Sequence, residues 1–162
     1  MSVASDIAQI IEQEKSLTFK SFDEEAALAI GLGIKKIIEA KGEAVSIDVR
    51  LWDRQLFGFA MKGTTADNQD WMRRKINAVR RYHRASYRMS LERGGEEEKM
   101  PYWGVDYKDY VFAGGSFPIN LESIGCVGAI TVSGLSGRDD HALVVEALCA
   151  FLGADYAKLG LS

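Results

Sequence analysis

The chain is poor in cysteine and proline, with two of each among its 162 residues. Cys126 and Cys149 stand outside any CxxC pair or dense disulfide framework, so we expect two reduced thiols. The sequence also lacks an apolar run of membrane-spanning length and the basic, apolar leader that directs secretion. We therefore predict a cytoplasmic protein with no membrane partner.

Neither sign of charge dominates the chain. Twenty basic and 23 acidic side chains give a formal net charge of −3 and a pI near 5.5. This balance excludes a general attraction to nucleic acid, so we expect no nucleic-acid partner. No linker, low-complexity tract or repeat divides the sequence. Its length suits a single domain over residues 1–162 with its own core.

Histidine is equally scarce, since His83 and His141 are the only two. Two histidines exclude a tri-histidine metal site within one chain and leave only two candidate bases for a catalytic relay. His141, beside Asp140 at the start of the last predicted helix, is the better candidate for a general acid or base. His83 lies on the apolar stripe of a long predicted helix, where a hydrogen-bonded core histidine is favoured over a ligand to haem iron.

Hydrophobic periodicity predicts a chain of the α/β class, α+β type. Helical spacing marks four helices. They are residues 6–14, a helix from the cap Ser21 or Asp23 to about 40, a long helix from the cap Thr64 or Thr65 to about 93, and a last helix from 139 or 140. Period-two or short apolar runs mark strands over 44–51, 56–61, 110–113, 116–119 and 124–132. The order of these elements favours a mainly antiparallel sheet of about five strands flanked by helices over a doubly wound parallel sheet.

The long predicted helix concentrates basic side chains. Arginine forks bind carboxylates and phosphates in a bidentate manner, so this face is a candidate site for a small anionic ligand such as haem propionates or nucleotide phosphates. A solvated face, or one paired with acidic side chains, is the favoured alternative. The basic residues are Arg73, Arg74, Lys75, Arg80, Arg81, Arg84 and Arg88.

Three turns at the ends of predicted elements offer room for a ligand. The segment 63–68 opens the long helix and the segment 134–141 opens the last one. Both have features of an anion cradle, but an ordinary helix cap is favoured at 63–68. The second lacks the Lys-Ser/Thr pair of a P-loop, so a structural turn is favoured there. Gly114-Gly115 suits a bulge or the close approach of a ligand.

Several motifs occur in the order typical of one known family. They are Phe22-Asp23, Gly63-Thr64, Asn68-x-x-Trp71-x-x-Arg74-Lys75, Gly114-Gly115-x-Phe117-Pro118-Ile119, Val132-Ser133-Gly134-Leu135 and Asp140-His141. This set, spread over residues 7–152, resembles the GlcG/HbpS-like haem-degrading-domain superfamily and, more narrowly, its branch of uncharacterised proteins. The match is specific for the family and not for a reaction.

The resemblance implies a profilin-like fold, homo-oligomers built from dimers, and haem as a cofactor of some superfamily members. It assigns no haem ligand here, although His83 and His141 stay weak candidates. It implies binding positions where the motifs of the branch match this sequence. Those positions are Asn68, Trp71, Arg74, Lys75, Gly115, Phe117, Pro118 and His141 with Asp140.

Three functions are compatible with this sequence. The first is a homo-oligomeric small-ligand-binding or accessory protein that binds haem or another anionic ligand. The second is an enzyme, either haem-degrading or using His141 as general acid or base. The third is a structural adaptor for protein partners, in which aromatic and arginine side chains form interfaces.

Overall fold

The computed structural model describes residues 2–162, which form six α-helices, a short 3₁₀ helix and four β-strands. None of these helices has the length and apolarity needed to cross a membrane. In chain order the elements are α1 (Val3–Ser16), α2 (Glu24–Ala40), β1 (Ser46–Leu51), β2 (Arg54–Ala60), α3 (Ala66–Tyr82), α4 (Ser86–Arg93), the 3₁₀ helix (Glu97–Lys99), β3 (Ser116–Leu121), β4 (Gly125–Ser133), α5 (Gly137–Leu152) and α6 (Tyr156–Leu159).

The strands form one antiparallel sheet in the order β2-β1-β4-β3. The antiparallel sheet flanked by helices is as predicted, but it has four strands and not about five. Residues 110–113, predicted as a strand, lie outside it. The Val111 N–H donates to the Arg74 carbonyl of α3 at 3.4 Å, and Phe112 packs among the side chains beneath that helix. This apolar run therefore lies against a helix instead of joining the sheet. Periodicity alone does not distinguish these two outcomes.

The two faces of the sheet differ because successive side chains of a strand point to opposite sides. On one face Ile47 and Val49 of β1 join the main hydrophobic core with α2 and α5. On the other face Asp48 and Arg50 of β1 lie opposite α3. The sheet is thus covered on both sides, and α3 and α5 approach it from opposite faces.

The long predicted helix is wrong beyond residue 82. His83 ends α3 in the left-handed conformation, with φ of 56°, and α4 begins separately at Ser86. Because the chain turns, Arg84 and Arg88 leave the face formed by the arginines of α3. Arg88 instead pairs with Glu14 of α1 at 2.7 Å. The continuous basic face predicted from the sequence is therefore absent from the described residues.

Candidate functional site

A pocket of about 340 Å³ lies where α3 begins, β4 ends and α5 begins. The Thr65 hydroxyl caps α3 and the Ser136 hydroxyl caps α5, so local capping fixes both helix starts at its rim. Residues from α3, the segment before β3, the β4–α5 turn and α5 line it. They are Asp67, Asn68, Trp71, Lys75, Ala113, Gly114, Ser133, Gly134, Leu135, Gly137 and Asp140.

A buried ion pair joins the two sides of this pocket. Lys75 Nζ lies 3.0 Å from Asp140 Oδ2 and donates a second hydrogen bond to the Val132 carbonyl at 3.1 Å. Both side chains are less than 5% exposed. The Leu135 N–H donates to the other carboxylate oxygen, Oδ1, at 3.0 Å. The pair therefore links α3 to α5 around the end of β4.

Burial opposes the charged form of both partners. Desolvation lowers the pKa of Lys75, against the attraction of Asp140, and Arg74 lowers it further. Desolvation also raises the pKa of Asp140, against Lys75 and the backbone N–H of Leu135. The proton between these groups is consequently less firmly held on nitrogen than in an exposed ion pair.

Two glycines before β3 let the backbone approach its neighbours closely, Gly115 at the ion pair and Gly114 at the start of α5. A Cβ on Gly115 would lie 2.8 Å from Lys75 Nζ and 2.6 Å from the Val132 carbonyl oxygen, and its φ is +126°. A Cβ on Gly114 would lie 1.9 Å from the Gly137 carbonyl oxygen. These positions require glycine for space, and Gly115 also for its backbone conformation. Of the two, only Gly114 lines the pocket.

Trp71 and Asn68 form the wall contributed by α3. Trp71 Nε1 donates to Asp67 Oδ2 at 3.2 Å, and the Arg74 guanidinium stacks 4.3 Å from the centre of the Trp71 ring. Asn68 Nδ2 donates to the Ser133 hydroxyl at 3.3 Å, and Asn68 Oδ1 accepts from the Thr65 N–H. These contacts fix an aromatic surface and a polar edge around the pocket.

Three other predicted site residues lie outside the pocket lining. Arg74 is buried between Trp71 and Asp70, with Nε 3.1 Å from Asp70 Oδ2. Phe117 is fully buried in the main core, and Pro118 is buried in β3 opposite Ala129. The lining contains no arginine, so the anion-binding role predicted for the basic helix face falls to Lys75 alone among the lining residues.

His141 is also absent from the lining and is almost completely buried. Its Nε2 lies 2.8 Å from Gln13 Oε1, and Gln13 Nε2 donates to the Leu159 carbonyl. Because an amide oxygen only accepts, Nε2 carries the proton and Nδ1 is a buried acceptor with no partner in the described chain. Burial, with Arg138 nearby, lowers the pKa of His141 to about 3. The imidazole is therefore neutral and is not presented to the pocket.

The remaining predicted ligand, His83, is exposed at the end of α3 and not on its apolar stripe. Across residues 2–162, no group of three or more His, Cys, Asp or Glu side chains is placed to hold a metal ion.

Burial raises the pKa of Cys126 to about 11, so this thiol stays protonated.

Seven lining residues were not among the predicted site residues: Asp67, Ala113, Gly114, Ser133, Gly134, Leu135 and Gly137. Sequence reasoning treated the turn after β4 as structural, although the motif that includes Ser133 and Leu135 was visible. No sequence signal linked Lys75 to Asp140, which are 65 positions apart. Their pairing depends on which helix covers which face of the sheet.

Comparison with known proteins identifies the family. Residues 22–149 match the model of the haem-degrading protein HbpS-like family. The chain belongs to the HbpS-like family. A UPF0303 protein of Mesorhizobium japonicum is 47% identical across all of this chain and 98% of its own length. One from Brucella melitensis is 46% identical over 96% of this chain and 92% of its own.

Solved structures share the fold of this HbpS-like chain. The Ybr137w protein superposes with a TM-score of 0.85 at 27% identity, covering 94% of this chain and 93% of that one. HbpS superposes with a TM-score of 0.66 at 21% identity over 86% and 96% of the two chains. A PduOC:heme complex does so with a TM-score of 0.66 at 13% identity over 80% and 94%. The last two identities are too low to carry more than the fold.

Proposed function

We propose that this chain is a homo-oligomeric small-ligand-binding protein with an accessory role, and that its ligand binds in the pocket between the starts of α3 and α5. The observation that supports this most directly is the buried Lys75–Asp140 pair at that pocket. An ammonium has three N–H donors, and two of them bind Val132 and Asp140. The third is available to a ligand oxygen.

The charges of the lining restrict the class of ligand. Asp67 and Asp140 are the two acidic lining residues and Lys75 is the basic one, so their side chains carry one net negative charge. Two helix starts meet there, and their free N–H groups partly offset that charge. A ligand with one carboxylate or one carbonyl fits this balance, whereas a polyanion does not. The volume of 340 Å³ lies near the lower end of small-molecule sites, about 300–1,000 Å³.

Haem is the second candidate, because the family is described as haem-degrading and a structural neighbour was solved with haem. These likenesses support a haem-binding or accessory role. The lining, however, contains no His, Cys, Met or Tyr, the usual axial ligands of haem iron. The residues of the pocket therefore do not fit haem held by an axial protein ligand, and the smaller ligand is the better fit.

The test is a titration of the protein with benzoate and with pyruvate, two small monocarboxylates, followed by amide chemical shifts in NMR. We expect saturable shifts at Gly114 and Leu135. Ala113→Phe, which fills the pocket, is expected to weaken binding by at least about tenfold, or ~1.4 kcal/mol. Ala66→Phe places the same ring outside the lining and should bind as the wild type does. If neither acid shifts these amides, or the two variants bind alike, the proposal is wrong.

Haemin forms a second arm of the same titration, followed by absorbance. Because His83 and His141 lie outside the pocket, we expect His83→Ala and His141→Ala to give the same Soret band as the wild type, whether or not that band is shifted. A band lost only in His141→Ala, with unchanged circular dichroism, would assign that imidazole to the iron and overturn our interpretation of the pocket.

Self-association is supported by an exposed apolar surface at one edge of the sheet. Leu28 and Leu32 of α2 and Phe59 of β2 are each at least 42% exposed, and β2 is an edge strand with one unpaired side. We expect light scattering to give a mass of at least two chains of 17.9 kDa each. Leu32→Glu should lower the measured mass. A wild-type mass near that of one chain would contradict this part of the proposal.

A further inference from the structure

Beyond reversible binding, we propose that Lys75 forms an imine with a small carbonyl compound, an aldehyde or a 2-oxo acid, that occupies the pocket. This inference rests on the proposed function, because the carbonyl compound must bind in the same place. It assigns a covalent step to a residue that binding alone would use only as a hydrogen-bond donor.

Lys75 is distinguished from the other lysines by its position. It is the one buried lysine among residues 2–162 and the one lysine in the pocket lining. Amines become nucleophilic when desolvation favours the neutral form, and the direction of the Lys75 pKa agrees with this. The other lysines are exposed or half-buried and none of them lines the pocket. Lys75 is therefore expected to react first.

Asp140 supplies the proton transfers that imine formation needs. Its Oδ2, 3.0 Å from Lys75 Nζ, accepts a proton from the ammonium and leaves a neutral amine. The nitrogen lone pair then attacks the carbonyl carbon, and a proton passes from this nitrogen to the former carbonyl oxygen to give a neutral carbinolamine. The Asp140 carboxylic acid donates its proton to the departing hydroxyl group, so one water is released and a C=N bond forms. No oxidant or reductant is required.

The surroundings favour a small reactant. Gly114 presents no side chain to the pocket, and the Trp71 ring forms a flat wall for an apolar or planar group. The Val132 carbonyl and the Asp140 carboxylate both face the nitrogen, so a cationic iminium would keep an acceptor and a counter-charge. Hydrolysis of the imine back to the amine and the carbonyl compound requires water, which the open pocket admits.

Reductive trapping tests the inference. The wild-type protein is incubated with pyruvate or with propanal and sodium cyanoborohydride, and modified lysines are located by peptide mass mapping. We expect Lys75 to gain the mass of the neutral probe less one oxygen atom, at least about tenfold faster than exposed Lys62. An unmodified Lys75, or one modified no faster than Lys62 by either probe, overturns the imine.

Variants separate this inference from the proposed function. Ala113→Phe should abolish trapping at Lys75, and Ala66→Phe should leave it unchanged. Equal trapping in both variants would show that the reagent does not enter through the pocket and would overturn the inference. Saturable pyruvate shifts at Gly114 without trapping overturn the imine and retain small-ligand binding. If pyruvate, propanal and benzoate give neither shifts nor trapping, both proposals are wrong.

Discussion

Lys75→Met is expected to lower the free energy of unfolding by about 3–5 kcal/mol at neutral pH. Methionine keeps much of the length of lysine but leaves the Asp140 carboxylate, 2% exposed, without its counter-charge. A buried charge whose partner has been removed costs far more than the intact pair contributes, because its desolvation is no longer offset. Urea unfolding followed by circular dichroism measures the change.

Arg73→Met provides the matched control on the same helix. Arg73 pairs with Asp70 and Asp109, and all three side chains are about half exposed, so its loss is expected to cost no more than about 1 kcal/mol. The double variant Lys75→Met/Asp140→Leu should regain most of the stability, since two apolar side chains replace both charges. If Lys75→Met costs no more than Arg73→Met, the pair is not buried in solution as the structure shows.

Local signals in the sequence were sufficient for most of the fold. Of the two cap candidates for each helix, Asp23 begins α2 and Thr65 begins α3. The alternation across 45–51 predicts a strand that the structure contains. The predicted elements that are wrong lie where a local sequence pattern is ambiguous. The helical period continues through His83, yet a left-handed residue there redirects the chain. The run 110–113 is apolar enough for a strand, but its backbone binds α3.

The candidate site needed information that no local pattern holds. The resemblance implies Asn68, Trp71 and Asp140 as binding positions, and the structure places these three in the lining of one pocket together with Gly114. The resemblance implies both Arg74 and Lys75 as binding positions, but residues adjacent on a helix point about 100° apart. Lys75 therefore points to Asp140 while Arg74 stacks on Trp71. Which of two basic neighbours lines the pocket depends on the rotation of α3 against the sheet.

Acid is expected to destabilise the protein through His141. Burial holds the pKa of this imidazole at about 3 in the folded state, whereas an unfolded histidine titrates near 6.5. Between pH 6.5 and pH 3 the unfolded chain therefore binds one more proton at this residue, so stability falls as the pH falls. From pH 7 to pH 5 this residue should remove about 2 kcal/mol from the free energy of unfolding.

The contribution of His141 is isolated by comparing variants, because the carboxylates titrate in all of them. His141→Leu removes the titrating group and should lose about 2 kcal/mol less than the wild type between pH 7 and pH 5, measured by urea unfolding at each pH. His83→Leu removes an exposed histidine and should follow the wild-type curve. Parallel curves for the wild type and His141→Leu would mean that the imidazole gains a proton in the folded state. Its unpartnered Nδ1 would then be reached by water, and His141 would again be a candidate acid or base.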